Sequence, residues 1–361
     1  MQVEKLAQKL IQFESTHQNP AQLDACLEYC VSYFSSFSNV KTHRFESNGV
    51  RSIVLANNTL EELDVLLLGH IDTVPGDASL FMGRVEGDRL YGRGSLDMKA
   101  FVATSMKVFE EVLKSNTDKK VALAIVTDEE LGGADGAKYL VERANIKPKV
   151  VLVPDDGEDL HVIVKETKHI YQIDFQAHGL EAHANRPWDG DNAILKLFET
   201  YVALKSKLNV PDQKPDDEFI DTCNLGLVSG GVASNEVPES AQMVVDIRIS
   251  SGITKDELKL IIDQSLIDGV SYTISLEGQP TNLDTNSEIV QKYIECIQRE
   301  TDTPIAFKRA GGATDARYFA KYGIVTIVHQ SHGRDAQAKN EYVSVSDLQK
   351  LITIQTNFIL S

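Results

Sequence analysis

Cysteine is scarce, with four in 361 residues. Cys223 and Cys296 stand alone, and no pattern of closely spaced pairs suggests a disulfide framework or a zinc knuckle. Cys26 and Cys30 fall in a run of Leu23, Cys26, Leu27, Cys30, Val31 and Phe34 at helical spacing, which predicts core positions of an amphipathic helix. Positive charge is also in deficit: 36 Lys and Arg face 53 Asp and Glu, a formal net charge of -17. That balance argues against nucleic acid or an anionic membrane as partner. No apolar run approaches the roughly 20 residues of a membrane span, and no internal repeat occurs at a fixed period. The first residues lack a charged-then-apolar leader, so a cytoplasmic protein with no membrane role is the expectation.

What is present is an ordinary globular composition, 42% hydrophobic and 25% charged. The length exceeds one ordinary core and predicts two domains. Apolar periodicity predicts helices over 3–13 and 23–34, and strands over 51–56 and 64–68. A short strand pair turns at Gly87-Asp88, and a glycine-rich loop, Gly92-Arg93-Gly94-Ser95-Leu96-Asp97, opens a long helix. Strands follow over 121–126 and 149–153. From residue 168 the texture changes to a strand alternating one face in and one out over 170–177. Helices then follow after Asn192 and over 254–266, with strands over 224–228, 242–249 and 271–276. Two helices and about four strands predict an inserted α+β domain over 168–278. The outer segments, 1–167 and 279–361, form an α/β domain, closing with helices over 287–300 and 346–358, a strand over 324–328, and another helix opened by Gly311–Arg317.

Three apolar strands end in acids. The first runs into Gly69-His70-Ile71-Asp72-Thr73-Val74-Pro75-Gly76; two residues apart, His70 and Asp72 leave the same face of an extended chain. An imidazole beside a carboxylate is how a metal-ligating histidine is held, although a structured turn also accounts for the pair. The second strand ends in Asp128-Glu129-Glu130 and the third in Pro154-Asp155-Asp156. Consecutive acids at a buried strand end need solvent, a partner or a cation. In an open α/β sheet such ends converge on one crevice. Asp97, read locally, is a carboxylate capping the helix that follows; Asp315 and Arg317 read locally as a cap and its partner.

Together these pieces resemble the zinc-dependent deacylase and exopeptidase family of acetylornithine deacetylase, succinyl-diaminopimelate desuccinylase, aminoacylase and carboxypeptidase G. The resemblance spans nearly the whole chain in order, through Gly69–Pro75, Gly92–Lys99, Asp128-Glu129-Glu130, Ala182-His183 with Pro187 and Gly190–Ala193, and Asn340-Glu341-Tyr342-Val343. It implies a mixed-sheet, zinc-peptidase-like catalytic domain and an inserted lid or dimerisation domain of two helices on a four-stranded sheet. It implies that His70 binds one zinc with Asp72 orienting it, that Asp97 bridges two zincs, and that Glu130 and Asp155 are further ligands, with Asp155 preferred to Asp156. Glu129 would be the general base and His183 would stabilise the oxyanion, reached across a homodimer in relatives. Asn235 and Arg248 match positions near the substrate, the latter suited to a two-pronged pair with an α-carboxylate; a turn asparagine and a surface ion pair are the structural alternatives.

One position departs from the pattern. Relatives carry a zinc-binding histidine four residues before the Glu of Asn-Glu-Tyr, where this chain has Gln337, a weak neutral ligand. His332 or His329 could substitute if the loop bends. Three readings follow: an active amidohydrolase with one or two Zn2+ per chain (Co2+ or Mn2+ as substitutes), a catalytically silent relative binding an acyl amino acid or peptide, and a generic metal-binding α/β protein. Retention of Glu129 and Glu130 favours the enzyme. Its expected substrates are N-acyl amino acids, with dipeptidase or carboxypeptidase activity as the alternative.

Overall fold

The computed structural model describes residues 1–115, 117–213, 215–217 and 219–361. The chain divides into two compact units, Met1–Glu166 with Thr281–Ser361, and Thr167–Pro280. The domain boundaries expected after residues 167 and 278 fall after Glu166 and Pro280.

The first unit is built on an eight-stranded mixed sheet in the order Lys41–Ser47, Val50–Ala56, Val121–Val126, Val65–His70, Val150–Val153, Val325–Val328, Val162–Thr167, Ala306–Ala310. The four middle strands run parallel. Their sequences, VALAIV, VLLLGH, VVLV and VTIV, are almost unbroken apolar runs, as strands covered on both faces require. Alternation then sends neighbours to opposite cores. Leu67, Leu123, Leu152 and Ile327 join a cluster with Leu10 of Val3–Ile11, Phe101 and Phe109 of Lys99–Lys114 and Leu351 of Val345–Leu360. Leu66, Leu68, Ala124 and Val151 join a second with Leu140 and Phe319 from Ala137–Glu142 and Ala316–Ala320.

Because the middle strands are parallel, His70, Val126, Val153 and Val328 end at one edge of the sheet, and the segments that follow carry the acids. The strand expected over 64–68 extends to His70 and stops there, so Asp72 lies beyond it. Lys41–Ser47, Ala137–Glu142, Val162–Thr167 and Ala306–Ala310 were not expected. The two edge strands, KTHRFES and AFKRA, carry too many polar residues to read as apolar runs.

The second unit is a four-stranded antiparallel sheet, ordered Thr222–Gly230, Ser240–Ile249, His169–His178, Val270–Gly278. Along His169–His178, Tyr171, Ile173, Phe175 and Ala177 are buried and pack with Leu197 and Leu204 of Ala193–Lys207 and Leu258 and Ile262 of Lys255–Asp263. Asn192 caps the first helix by accepting from the Ile194 and Leu195 N–H groups, and Thr254 with Glu257 forms a capping box on the second. All four cysteines are buried and free, in keeping with their reading as core residues.

In the first unit, Glu110 on the helix Lys99–Lys114 accepts from Lys107, Lys114 and the Tyr33 hydroxyl of Pro20–Tyr33. Burial alone would raise its pKa, but these donors hold it down at about 2. The folded state therefore binds fewer protons than the unfolded state between the ordinary carboxylate value and about 2. This contribution is complete above that window and fades as pH falls through it. Glu110→Gln is expected to flatten the acid limb of stability against pH; denaturant titrations from pH 2 to 6 on both proteins measure the difference.

Candidate metal centre

The site grows from His70, the last residue of its strand and only 1% exposed. Its Nδ1 lies 3.0 Å from the Asp72 backbone carbonyl, which can only accept, so Nδ1 carries a proton and Nε2 is the ring nitrogen left for a cation or a second proton. Nε2 faces Asp97 Oδ1 at 3.1 Å, Asp155 Oδ1 at 3.4 Å and Glu129 Oε2 at 3.9 Å. The acceptor that orients His70 is thus the Asp72 carbonyl, with the carboxylate Oδ1 at 3.4 Å. Asp72 Oδ2 instead accepts from the Glu130 N–H at 3.0 Å and approaches His17 Nε2 at 3.2 Å.

Asp97 arrives on the glycine-rich loop. Glu341, buried at the start of Tyr342–Ser344, accepts from the N–H groups of Gly94, Leu96 and Asp97 on one oxygen and from Arg93 Nη1 on the other at 2.9 Å. Gly94 has φ +84° and an added Cβ would meet Lys99 Cδ at 2.9 Å, so the loop needs glycine there. The local reading of Asp97 as a helix cap does not hold. Met98 occupies the cap position without a side-chain bond, and the Asp97 carboxylate is directed to His70 and Gln337.

The acid run divides its labour. Asp128 is buried and accepts from the Asp135 and Gly136 N–H groups, which closes the turn. Glu129 and Glu130 lie on a short 3-10 turn, Glu129–Leu131. The carbonyl of the next residue, Gly132, accepts from Arg317 Nη2 at 2.8 Å and from the Tyr318 hydroxyl. Asp315 does not cap its helix: its side chain makes no capping bond, and both carboxylate oxygens are buried without a hydrogen-bond partner. It packs against Gly133, where a Cβ would come within 2.1 Å of Oδ1.

Asp155 follows Pro154 into the cluster, whereas Asp156 accepts from the Gly157 N–H and pairs with Lys308 at 3.6 Å. Gln337 Nε2 donates to Asp97 Oδ2 at 2.9 Å and to Glu130 Oε2 at 3.0 Å. Neither histidine proposed as its substitute reaches this group. His329 is enclosed, with Nε2 at 2.8 Å from the Leu160 carbonyl and Nδ1 at 2.9 Å from the Tyr293 hydroxyl. His332 lies against the Glu158 carbonyl at 3.3 Å and the Tyr342 hydroxyl at 3.5 Å.

Burial first, and then the surrounding carboxylates, push Glu130 up to about 7 and Asp155 to about 6, and Glu129 is raised well above its ordinary value. Burial opposes charging of His70, yet Asp155, Asp72 and Asp97 lift its pKa. The cluster is short of positive charge. The ligand atoms of His70, Asp97 and Asp155 lie within 4.8 Å of one another, so one imidazole nitrogen and two carboxylate oxygens can surround a divalent cation. This set suits zinc with an open fourth position.

The remaining candidates lie in the second unit. His183, on the two-residue strand Ala182–His183, and Asn235, before its partner Glu236–Val237, line one shallow cavity of about 330 Å³. Arg248 does not line that cavity; its Nε donates to Asp246 Oδ1 at 3.0 Å. In the first unit, sequence reasoning missed His17, Arg93 and the role of Glu341. The Asn-Glu-Tyr signature pointed to Glu341, whereas His17 carries no local signal.

Residues 66–361 match the family described as Peptidase family M20/M25/M40. The chain belongs to this family. It is a hydrolytic enzyme of a metal-dependent group, with a mixed-sheet fold in line with expectation. It is 26% identical over 377 aligned residues to succinyl-diaminopimelate desuccinylase of Nitratiruptor sp., covering all of both chains. It is 31% identical over 317 residues to a probable carboxypeptidase of Aspergillus clavatus, covering 81% of this chain and 72% of that one. In fold it is similar to an M20 family metallo-carboxypeptidase from Sulfolobus solfataricus, with TM-score 0.83, 17% identity and 99% of each chain covered. Among the described residues, no helix is long and apolar enough to cross a membrane.

Two variants test the centre. His70→Ala is expected to abolish tight zinc binding in calorimetric titration while unfolding stays cooperative. Glu341→Gln removes the charge that gathers the Asp97 loop, and zinc affinity should fall by about 10- to 100-fold, the usual effect of altering a group that orients a ligand. Unchanged affinity in Glu341→Gln would show that the loop holds Asp97 without that charge.

Proposed function

We propose that this enzyme hydrolyses the amide bond of an N-acyl amino acid, with Glu129 as general base beside a zinc centre of His70, Asp97 and Asp155. The observation that carries this reading is the placement of the Glu129 carboxylate 3.9 Å from the buried His70 Nε2, which also faces the Asp97 and Asp155 carboxylates. A zinc ion held by His70, Asp97 and Asp155 would supply Lewis acidity, lowering the pKa of a bound water toward neutrality and polarising a carbonyl. Glu129 removes the proton from the attacking water and delivers it to the departing amine. Its backbone is steadied by the Glu130 N–H bond to Asp72 and by the Arg317 and Tyr318 bonds to the Gly132 carbonyl. Asp72 also keeps His70 in place through its own carbonyl, which fixes the tautomer that leaves Nε2 available.

His183 is assigned to stabilising the oxyanion, and Asn235 and Arg248 to substrate contacts, on the resemblance of their motifs. The desuccinylase relative supports an N-succinyl amino acid as substrate, the motif resemblance adds N-acetyl amino acids, and the relatives named as carboxypeptidases support a dipeptide as the second reading. Homodimerisation through the inserted domain is supported by an exposed apolar stripe of Leu195, Phe198 and Val202 on Ala193–Lys207. The edge strand Thr222–Gly230 adds exposed Leu227 and Val228. Four free thiols support a reducing, cytoplasmic setting.

The test is turnover of a panel of N-succinyl and N-acetyl amino acids and dipeptides by zinc-loaded enzyme. A chelator should remove activity and zinc should restore it. Glu129→Gln should lower kcat by about 10²- to 10⁴-fold with zinc content unchanged, the range expected for loss of a general base. Hydrolysis of no amide in the panel, or undiminished kcat in Glu129→Gln, would overturn the assignment.

A further inference from the structure

The carboxylates of the centre do not all face one point. Asp97 divides its oxygens: Oδ1 lies 3.1 Å from His70 Nε2, and Oδ2 accepts from Gln337 Nε2 at 2.9 Å. Glu130 lies on the Gln337 side, with its two oxygens 3.0 and 3.3 Å from the same amide nitrogen. Its backbone N–H is tied to Asp72 Oδ2 at 3.0 Å, so the turn that carries it is anchored. Glu130 is not in the set of ligand atoms that close to within 4.8 Å; that set is His70, Asp97 and Asp155.

The orientation of the Gln337 amide follows from its neighbours. Carboxylates only accept, and Asp97 and Glu130 both present oxygens to it. Turning the amide oxygen toward them would set three acceptors against one another. The NH2 end satisfies both acids, but a group donating in this way offers no lone pair to a cation. A second cation between Asp97 and Glu130 would have to break both hydrogen bonds and turn the amide. It would then have two carboxylates and a neutral carbonyl oxygen, without the imidazole that zinc favours. The first position is different in kind: it offers the buried His70 Nε2, an imidazole nitrogen, beside Asp97 and Asp155.

We propose that this chain is a one-metal hydrolase in which the Gln337 amide, by donating to Asp97 and Glu130, occupies the place a second cation would need. The inference rests on the hydrolase reading and refines its metal centre. A divalent cation with His70, Asp97 and Asp155 forms a unit of zero net charge. Gln337 then links Asp97 to Glu130 without adding charge, and Glu130 acts as a positioning residue and not as a ligand.

The experiment counts zinc. Apo-protein is reconstituted with excess Zn2+, desalted and assayed for metal per chain, and the binding isotherm is recorded by calorimetry. The wild type is expected to retain one zinc, and Gln337→His, which puts a lone-pair nitrogen beside Asp97 and Glu130, is expected to retain two. Gln337 is an exposed loop residue, so this variant should keep the fold, and the wild-type count is decisive without it. Two zincs in the wild type overturn the inference, and if that protein hydrolyses the amide panel the proposed function stands. One zinc in Gln337→His overturns the role given to the amide. One zinc in the wild type, two in Gln337→His and no hydrolysis by either would support the single-cation centre and the role given to the amide, and would overturn the hydrolase reading on which the inference rests. No zinc in the wild type overturns both.

Discussion

A buried imidazole nitrogen turned toward carboxylates is the constraint around which the first unit is arranged. His70 Nε2 lies within 3.4 Å of oxygens from both Asp97 and Asp155. Lone pair against lone pair in a buried setting is unfavourable unless a cation or a proton stands between them. Neighbouring Glu129, Glu130 and Asp155, all with raised pKa values, express the same shortage of positive charge. A structure held in this way is prepared for a divalent ion.

Several contacts keep this arrangement from relaxing. The carbonyl of Asp72 orients His70, and its carboxylate reaches across to the backbone of Glu130. Glu341 gathers three N–H groups of the loop that ends in Asp97, with Arg93 balancing its charge. Arg317 and Tyr318 take hold of the Gly132 carbonyl just after the acid turn. Each bond is ordinary in strength. Together they set carboxylates in positions that mutual repulsion would otherwise disperse.

Much of the fold was legible. The four parallel strands read as apolar runs because both faces are buried, and the inserted unit read as alternating because one face of its sheet meets solvent. The edge strands Lys41–Ser47 and Ala306–Ala310 did not, since residues chosen to keep an edge solvated erase the apolar signal. The local readings of Asp97 and Asp315 as helix caps failed for a shared reason. An acid at a helix start has the same signature whether it caps the backbone or turns toward another strand, and only the other strand's position decides. His17 went unnoticed because its contact to Asp72 joins residues 55 apart in sequence.

By itself the sequence determined the class of chemistry. Apolar strands ending in His70, in Glu129 and Glu130, and in Asp155 bring acids and an imidazole to one sheet edge whenever those strands run parallel. It also determined that position 337 would be neutral. Only the tertiary structure decided which oxygen of Asp97 faces His70 and which faces Gln337, and that His329 and His332 are held elsewhere. The reason is range. Side-chain type and strand periodicity are local properties, while the direction of a carboxylate is set by whichever donors distant segments bring within about 3 Å of it.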